Sequence, residues 1–417
     1  MIVALVYIGI FTVAWAGVVL LRKRRGPAAP GATTFGEEAA VRPDRLASVL
    51  SVLTVCLIWG AFTGSRLVPV HVPGPFTGLT AFTYTARNAA GMTDQATVRV
   101  HVHALGAAPR MPQVVPGSGF ARDDAATIAA WRSGLIRVAG NDVGGQAAGY
   151  RVIAVDGQPI APGGQVMVAD GRVGMTPKGT LSFMPDRGWR IEPIWLPAPE
   201  TVALRLLDVA RNGFQNVSLW EHLGWSLWRV IAGFSLGSLL GIPLGYAMGL
   251  SGWVRGWFDP VVEFMRPVPP LALIPLVIIW FGIWETGKIV LLFLAALWIM
   301  IIAARAGVSG IPVSKLRAAL SLGASRRQIL RHVIVPNSLP EIFTGARVAM
   351  GVCWGTVVAA ELVAAQKGAG MMIIAASKFQ MTDVVILGIA LIGGIGYGID
   401  LLIRWAERRL VPWKGQG

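Results

Sequence analysis

The sequence predicts an all-α polytopic membrane protein of about seven transmembrane helices, with an inserted antiparallel β-sandwich. Two observations make the membrane assignment. Hydrophobic residues make up 54% of the 417 and charged residues only 14%, unlike a soluble domain. The apolar residues also fall in runs long enough to cross a bilayer. A third observation sets the β part aside. Across 65–195 the chain becomes polar and rich in Gly and Pro, with short alternating segments.

Residues 1–21 carry no charge and run into Arg22-Lys23-Arg24-Arg25. A secretory signal has its basic residues ahead of the apolar stretch. This segment is therefore expected to be an anchor helix with its N-terminus outside, followed by a cytoplasmic linker over 22–45. A second span, 46–64, runs outward. Further spans are expected near 226–250, 261–283, 288–310, 339–361 and 383–404. Seven spans leave the C-terminus in the cytoplasm and 65–195 outside. The net charge of +15 agrees with this, because Arg326, Arg327, Arg331, Arg404, Arg408 and Arg409 gather at span ends, the positive-inside pattern. No groove-reading module accompanies the charge, which assigns it to a membrane and not to nucleic acid. Cys56 and Cys353 lie in apolar runs and are expected to be small buried side chains.

Within 65–195, Phe82 and Tyr84 alternate with Thr83 and Thr85. Asn88 to Gly91 signals a turn, and Ala96, Val98, Val100 and Val102 share one face. Later strands are expected at 150–155, 165–169 and 181–184, with turns at Asp156-Gly157 and Asp170-Gly171. Short strands with frequent turns suggest the sandwich. Asp142, Asp156, Asp170 and Asp186 read as single turn residues, whereas a calcium site needs clustered carboxylates. His101 and His103 share a strand face without an evident third ligand, so no metal site is assigned.

The most informative segment is 311–338. Ala318 and Ala319 leave one helical face flat enough for another protein to approach closely. Gly323 can end that helix in a left-handed conformation. Ser325 and Gln328 fit a capping box that opens a second helix, which Pro336 is expected to limit. The segment reads as a rigid helix–turn–helix docking element at the membrane surface. Farther back, Arg266-Pro267-Val268-Pro269-Pro270 interrupts the fourth expected span, and proline at membrane depth frees carbonyls that must face protein or a water-filled path.

These residues carry a family resemblance. Permease subunits of binding-protein-dependent ABC importers have a cytoplasmic loop of the form EAA-x3-G-x9-I-x-LP. Ala318, Ala319, Gly323, Val333, Val335 and Pro336 fall in its register. Arg317 replaces the first Glu, as in the taurine-type branch, where Arg-Ala-Ala-x-Ser-Leu-Gly-Ala-Ser is usual. "RPVPPLALIPLVIIWFGIWETGK" from Arg266 to Lys288, "GIPLGYAMGLS", "VVAAEL" and "RRLVPW" also resemble taurine and sulfonate permeases. The resemblance covers about residues 197–414, within a permease core expected over 196–414. "LTAFTYTARNAAGMTDQATVRVHV" and "VIAVDGQPIAPGGQVMVADGRVGMTPKGTLSFMP" resemble bacterial cadherin-like repeats.

The resemblance implies a multi-pass subunit of the bacterial inner membrane, paired with a second copy to form the pathway. Its partners would be a cytoplasmic ABC ATPase dimer and a periplasmic substrate-binding protein. The substrate would be taurine or a related alkanesulfonate; nitrate, cyanate and bicarbonate importers share this permease type. Arg317, Ala318, Ala319, Gly323, Ala324, Ser325, Val333 and Pro336 would form the ATPase-coupling loop. Arg266, Thr344, Arg347, Thr356 and Glu361 are candidates to line the pathway. The chain would bind no cofactor itself, with ATP and Mg on the partner ATPase. Gly282 to Lys288 matches the start of a phosphate-binding loop, but Ile289 stands where Ser or Thr is required. An alternative of another class is a membrane-anchored interaction protein acting through its β ectodomain.

Overall fold

A computed structural model describes residues 2–24, 45–115, 117–143 and 149–413. Contacts divide the chain into two compact units, one ending at Glu200 and the other beginning at Thr201. Except for its ends, the linker expected over 22–45 lies outside the described residues.

The first unit opens with α1 (Ile2–Arg24) and α2 (Arg45–Thr63). α2 is long and apolar enough to cross a membrane, whereas the described apolar stretch of α1, Ile8–Gly17, is shorter than a span. Cys56 is exposed on α2, contrary to the expected burial, while Cys353 is buried.

Nine strands follow among the described residues: β1 (Gly78–Arg87), β2 (Thr93–His103), β3 (Asp124–Ala129), β4 (Gly134–Ile136), β5 (Arg151–Val155), β6 (Gln158–Pro159), β7 (Gln165–Val168), β8 (Gly171–Met175) and β9 (Leu181–Pro185). They form two sheets, ordered β3-β2-β1-β5-β6 and β4-β9-β8-β7. β1 and β2 pair antiparallel from Gly78↔Val102 to Arg87↔Thr93. The expectation of an all-antiparallel arrangement fails at β3, which pairs parallel to β2. A parallel neighbour needs a crossover, not a tight hairpin. Residues 104–123 supply it, and Pro109 and Pro112 lack the N–H groups a ladder would need.

The two sheets share one core. Phe82, Tyr84, Ala96, Val98, Val100 and Val102 point inward as the alternation predicts, against Val166, Val173, Leu181 and Phe183 of the other sheet. Phe82 stacks on Phe183 with ring centroids 6.0 Å apart. At the β5–β6 turn, Asp156 and Gly157 take φ of 43° and 74°, the paired positive values of a tight hairpin. Asp156 also accepts a hydrogen bond from the Thr83 N–H at 2.7 Å. Among the described residues, no group of three or more His, Cys, Asp or Glu could hold a metal ion.

One polar cluster is enclosed with this core. The Tyr84 hydroxyl faces the Arg122 carbonyl at 3.1 Å, Asp124 Oδ2 at 3.3 Å and Asp142 Oδ1 at 3.2 Å. One proton serves three acceptors. Burial, followed by the Asp142 charge, pushes the Asp124 carboxyl up to about 7; burial also raises Asp142. The folded state therefore holds a proton that the unfolded chain releases near pH 4. Stability from this group is complete below that value and is lost as pH rises through about 7. Hydrogen exchange of β1–β3 in the full chain is expected to quicken across this range. Asp124→Asn should flatten the response.

The second unit is helical: the rest of α3 (Pro199–Asn212), then α4 (Leu219–Leu250), α5 (Gly252–Met265), α6 (Ile274–Phe281), α7 (Glu285–Ser309), α8 (Val313–Ser321), α9 (Arg326–Ile329), α10 (Val335–Ala364), α11 (Ala369–Lys378) and α12 (Thr382–Leu410). Among the described residues of the chain, five helical stretches are long and apolar enough to span: Leu46–Thr63, Leu219–Leu250, Glu285–Ser309, Arg326–Leu362 and Thr382–Leu410. The span expected over 261–283 is not one helix. Gly252–Met265 and Pro270–Phe281 meet at 92°, giving six spans if the pair counts as one. The sequence predicts seven. Pro267, Pro269 and Pro270 withhold three helical donors within four residues, which accounts for the break.

α4 and α7 pack through a glycine stripe. Gly233, Gly237, Gly241, Gly245 and Gly249 recur every four residues and face α7. A Cβ on Gly237 would lie 2.7 Å from Ala296 Cβ, and one on Gly241 would lie 2.9 Å from the Leu297 carbonyl. Such close backbone approach is how helices associate in lipid, where hydrophobic burial offers little drive. Val230, Leu292, Ala296, Met300, Ala349, Cys353 and Val357 continue the core into α10. Gly237→Val should destabilise the purified protein by about 1–3 kcal/mol through overpacking, seen as a lower melting temperature in detergent. Gly393→Ala, where a Cβ meets nothing within 4 Å, should leave it unchanged.

Candidate functional site

The loop after α7 folds from local signals. In α8, the Leu322 N–H donates to the Ala318 carbonyl. Gly323 then takes φ 76°. Its N–H reaches the Leu320 carbonyl at 2.9 Å, and the Ala324 N–H reaches the Ala319 carbonyl at 3.1 Å. That bond pair is a Schellman motif. Ala319 and Ala324 supply its apolar contact, packing with Leu316 and Val333 on Ile311, Ile329 and Ile334.

Ser325 opens α9 with the expected capping box: its backbone N–H donates to Gln328 Oε1 at 2.8 Å, and the Gln328 N–H donates to Ser325 Oγ at 3.4 Å. Pro336 does not limit this helix. α9 passes through a π turn, Leu330–Ile334, into α10, with the Val335 N–H bonded to the Leu330 carbonyl. The wider turn changes the bonding register just ahead of Pro336, which falls in the first turn of α10, where its missing N–H costs least. Lys315 Nζ donates to Asn337 Oδ1 at 2.8 Å, tying α8 to α10. Tyr246 and the buried Ser338 share a 2.6 Å hydrogen bond that ties α10 to α4.

The proposed loop residues therefore divide into two sets. Ala319, Ala324, Val333 and Pro336 are half-buried, while Arg317, Ala318, Gly323 and Ser325 are exposed. Leu320, Leu322 and Val313 are exposed apolar residues beside them, among the basic Arg317, Arg326 and Arg327.

The five pathway candidates do not form one surface. Thr344 lies on an exposed stripe of α10 with Val348, Gly351 and Gly355. Thr356 is buried and its hydroxyl donates back to the Val352 carbonyl at 2.7 Å. Arg347 is half-buried, 3.8 Å from Glu407. Arg266 caps α5 and lies 3.6 Å from Glu263.

Glu361 is enclosed in a charge network that sequence reasoning missed. Its partner is Arg229 of α4, the largest fully buried side chain. Arg229 Nη1 donates to Glu361 Oε1 at 2.7 Å and to the Lys367 carbonyl at 2.8 Å. Nε and Nη2 grip both oxygens of Glu285, at 2.5 and 2.9 Å. Lys288 Nζ donates to Glu285 at 2.8 Å. Glu361 also accepts from Ser226 Oγ at 2.7 Å and the Gly370 N–H at 2.8 Å. His222 Nδ1 receives the Gly368 N–H, while Nε2 faces the Phe214 carbonyl. Gly368 has φ 145° and a Cβ there would strike the Glu361 carboxylate. Two acids and two bases balance, so the cluster is built to hold helices together. It is not a pocket awaiting an anion. Lys288, the invariant position of a phosphate-binding loop, is consumed here.

Residues 237–412 match the family described as binding-protein-dependent transport system inner membrane component. The chain is 48% identical over 245 residues to the taurine transport system permease protein TauC of Escherichia coli (strain K12), covering 57% of this chain and 89% of that one. The chain belongs to the binding-protein-dependent transport permeases. The permease is 39% identical to a putative aliphatic sulfonates transport permease protein SsuC of the same organism, covering 54% of this chain and 84% of that one. It is 33% identical to the bicarbonate transport system permease protein CmpB of Synechococcus elongatus, covering 48% and 71%. As an inner-membrane component of such a system, the permease is a multi-pass transport subunit. ATP hydrolysis belongs to a separate ATPase, and a substrate-binding protein completes the importer.

Removing one partner of a buried ion pair costs about 3–5 kcal/mol, whereas replacing both with apolar groups can be neutral. Arg229→Ala should therefore lower the melting temperature sharply. Arg229→Leu combined with Glu361→Leu should recover part of the loss, the non-additivity measuring their coupling.

Proposed function

We propose that this permease imports taurine or a related alkanesulfonate. The observation that carries this reading is the order of its relatives: identity is 48% to a taurine permease, 39% to a sulfonate permease and 33% to a bicarbonate permease. The last of these supports a second reading, import of another small anion such as bicarbonate, nitrate or cyanate. Two copies form the pathway between them; the exposed small-residue face of α10 that carries Thr344, Gly351 and Gly355 supports close approach of a second copy or the opening of a path there. The loop over 311–338 faces the cytoplasm with the C-terminus, and its exposed Arg317, Ala318, Leu320 and Leu322 rest on the ATPase dimer. The two-sheet insertion over 65–195 is periplasmic, a cadherin-like sandwich on the side of the membrane from which a binding protein delivers substrate.

Uptake of labelled taurine tests the assignment, in cells that lack their own importers and express the permease with its ATPase and binding protein. Competition by unlabelled taurine alone supports it. Competition mainly by nitrate or bicarbonate moves the substrate, and no uptake by an intact complex removes the reading. Ala318 is the cleaner probe of the loop because Ala319 also packs inward. Ala318→Asp should leave the permease at normal membrane levels and reduce uptake at least about tenfold, the loss expected from an unpaired charge in a docked interface. Unchanged uptake would place the ATPase contact elsewhere.

A further inference from the structure

In the first unit, the chain does not leave α2 as a free tether. Gly64 turns with φ 70°, and the Val72 N–H returns to the Ala61 carbonyl at 3.2 Å. The segment after β9 comes back to the same helix end. The Ile191 N–H donates to the Phe62 carbonyl at 2.9 Å, and Trp59 Nε1 donates to the Pro197 carbonyl at 2.9 Å. The outgoing and returning segments bond each other: the Phe76 N–H to the Asp186 carbonyl at 2.9 Å, and the Trp189 N–H to the Pro73 carbonyl at 2.8 Å. Arg190 lies across Gly64 and Gly74, where added Cβ atoms would come within 2.9 and 3.1 Å of it. Ser65 Oγ and the Arg66 N–H both donate to Glu200, at 2.6 and 2.8 Å. Glu192 pairs with Arg132 of the β3–β4 connection at 2.5 Å. The sheets are thereby clamped to α2.

Both segments meet the last turn of α2, at the Ala61 and Phe62 carbonyls and the Trp59 indole. On these two segments, side chains open outward: Trp195 is 76% exposed, Val70 74%, Leu67 72% and Trp189 66%. Exposed apolar groups on segments bonded to the end of a membrane-crossing helix lie where water gives way to lipid, and indole rings favour the headgroup level, where an apolar body and a polar N–H are both accommodated.

We infer that Trp195, Trp189, Leu67 and Val70 seat the base of the β domain in the lipid headgroup–acyl boundary, so that the domain rests on the bilayer at a fixed height. The occupant of this surface is lipid. The full chain, with Cys56→Ala to remove the exposed thiol, is given single cysteines by Trp195→Cys, Trp189→Cys or Val70→Cys, each carrying a nitroxide. Met167→Cys on β7, exposed on the sheet, is the reference. The protein is reconstituted in phosphatidylethanolamine–phosphatidylglycerol bilayers, and collision with oxygen is compared with collision with a water-soluble nickel chelate. A several-fold higher oxygen-to-nickel ratio at 195 and 189 than at 167 is expected. Nickel access equal to that at 167 would overturn the inference by placing the base in water. Exclusion of both reagents would overturn it by showing protein over the patch. Val70→Cys leaves both indoles in place, so the measurement holds even where a tryptophan variant fails to fold.

Discussion

The helical unit depends on one buried guanidinium. Arg229 enters a region where an isolated cation costs several kcal/mol, and it is tolerated because carboxylates from two other helices and a carbonyl from the α10–α11 connection surround it. That requirement constrains the neighbours. α7 must begin where Glu285 can be bidentate, α10 must present Glu361 toward α4, and the connection must be thin enough to reach in. Gly368 and Gly370 meet the last condition, with no room for side chains against Glu361 and Val358. The glycine stripe sets the α4–α7 distance, and the ion pairs fix how α7 and α10 are placed around α4. Together they replace the hydrophobic drive that lipid does not supply.

Local signals were legible in the sequence and distant ones were not. Gly323, Ser325 and Gln328 act over three or four residues, so their turn and capping box could be read directly. The inward faces of β1 and β2 followed from two-residue alternation. Glu361 was visible as a polar residue in an apolar run, but its partner lies 132 residues away, and no periodicity connects them. Position alone makes it a pathway candidate; its enclosure by Arg229, Ser226 and the Gly370 N–H is seen only in three dimensions. The glycine stripe of α4 was legible in principle, because a four-residue repeat of Gly in an apolar helix is itself a packing signal. Pro336 misled for a different reason. Proline ordinarily stops a helix, whereas a π turn immediately before Pro336 carries this one through.

The β unit shows a related division. Strand positions and turns were visible, but pairing partners were not. β3 joins β2 in parallel because a long excursion brings the chain back in the same direction, and sequence alternation carries no information on strand direction. The Tyr84, Asp124 and Asp142 cluster likewise assembles from three separated segments. Its protonation follows from enclosure, which a sequence cannot display.

The π turn also has a mechanical consequence. Because it joins α9 to α10 without a break, Arg326 to Ala364 forms one rod of about 58 Å at 1.5 Å per residue. Ser325 stands at its foot and Glu361 near its head. The π turn near its foot and Pro340 inside α10 are the places where such a rod can bend, and beyond Pro340 the helix runs unbroken to Ala364. That unbroken part carries Glu361, the residue clasped by Arg229. The permease thus carries part of its surface helix–turn–helix and one of the carboxylates around Arg229 on the same continuous helical stretch.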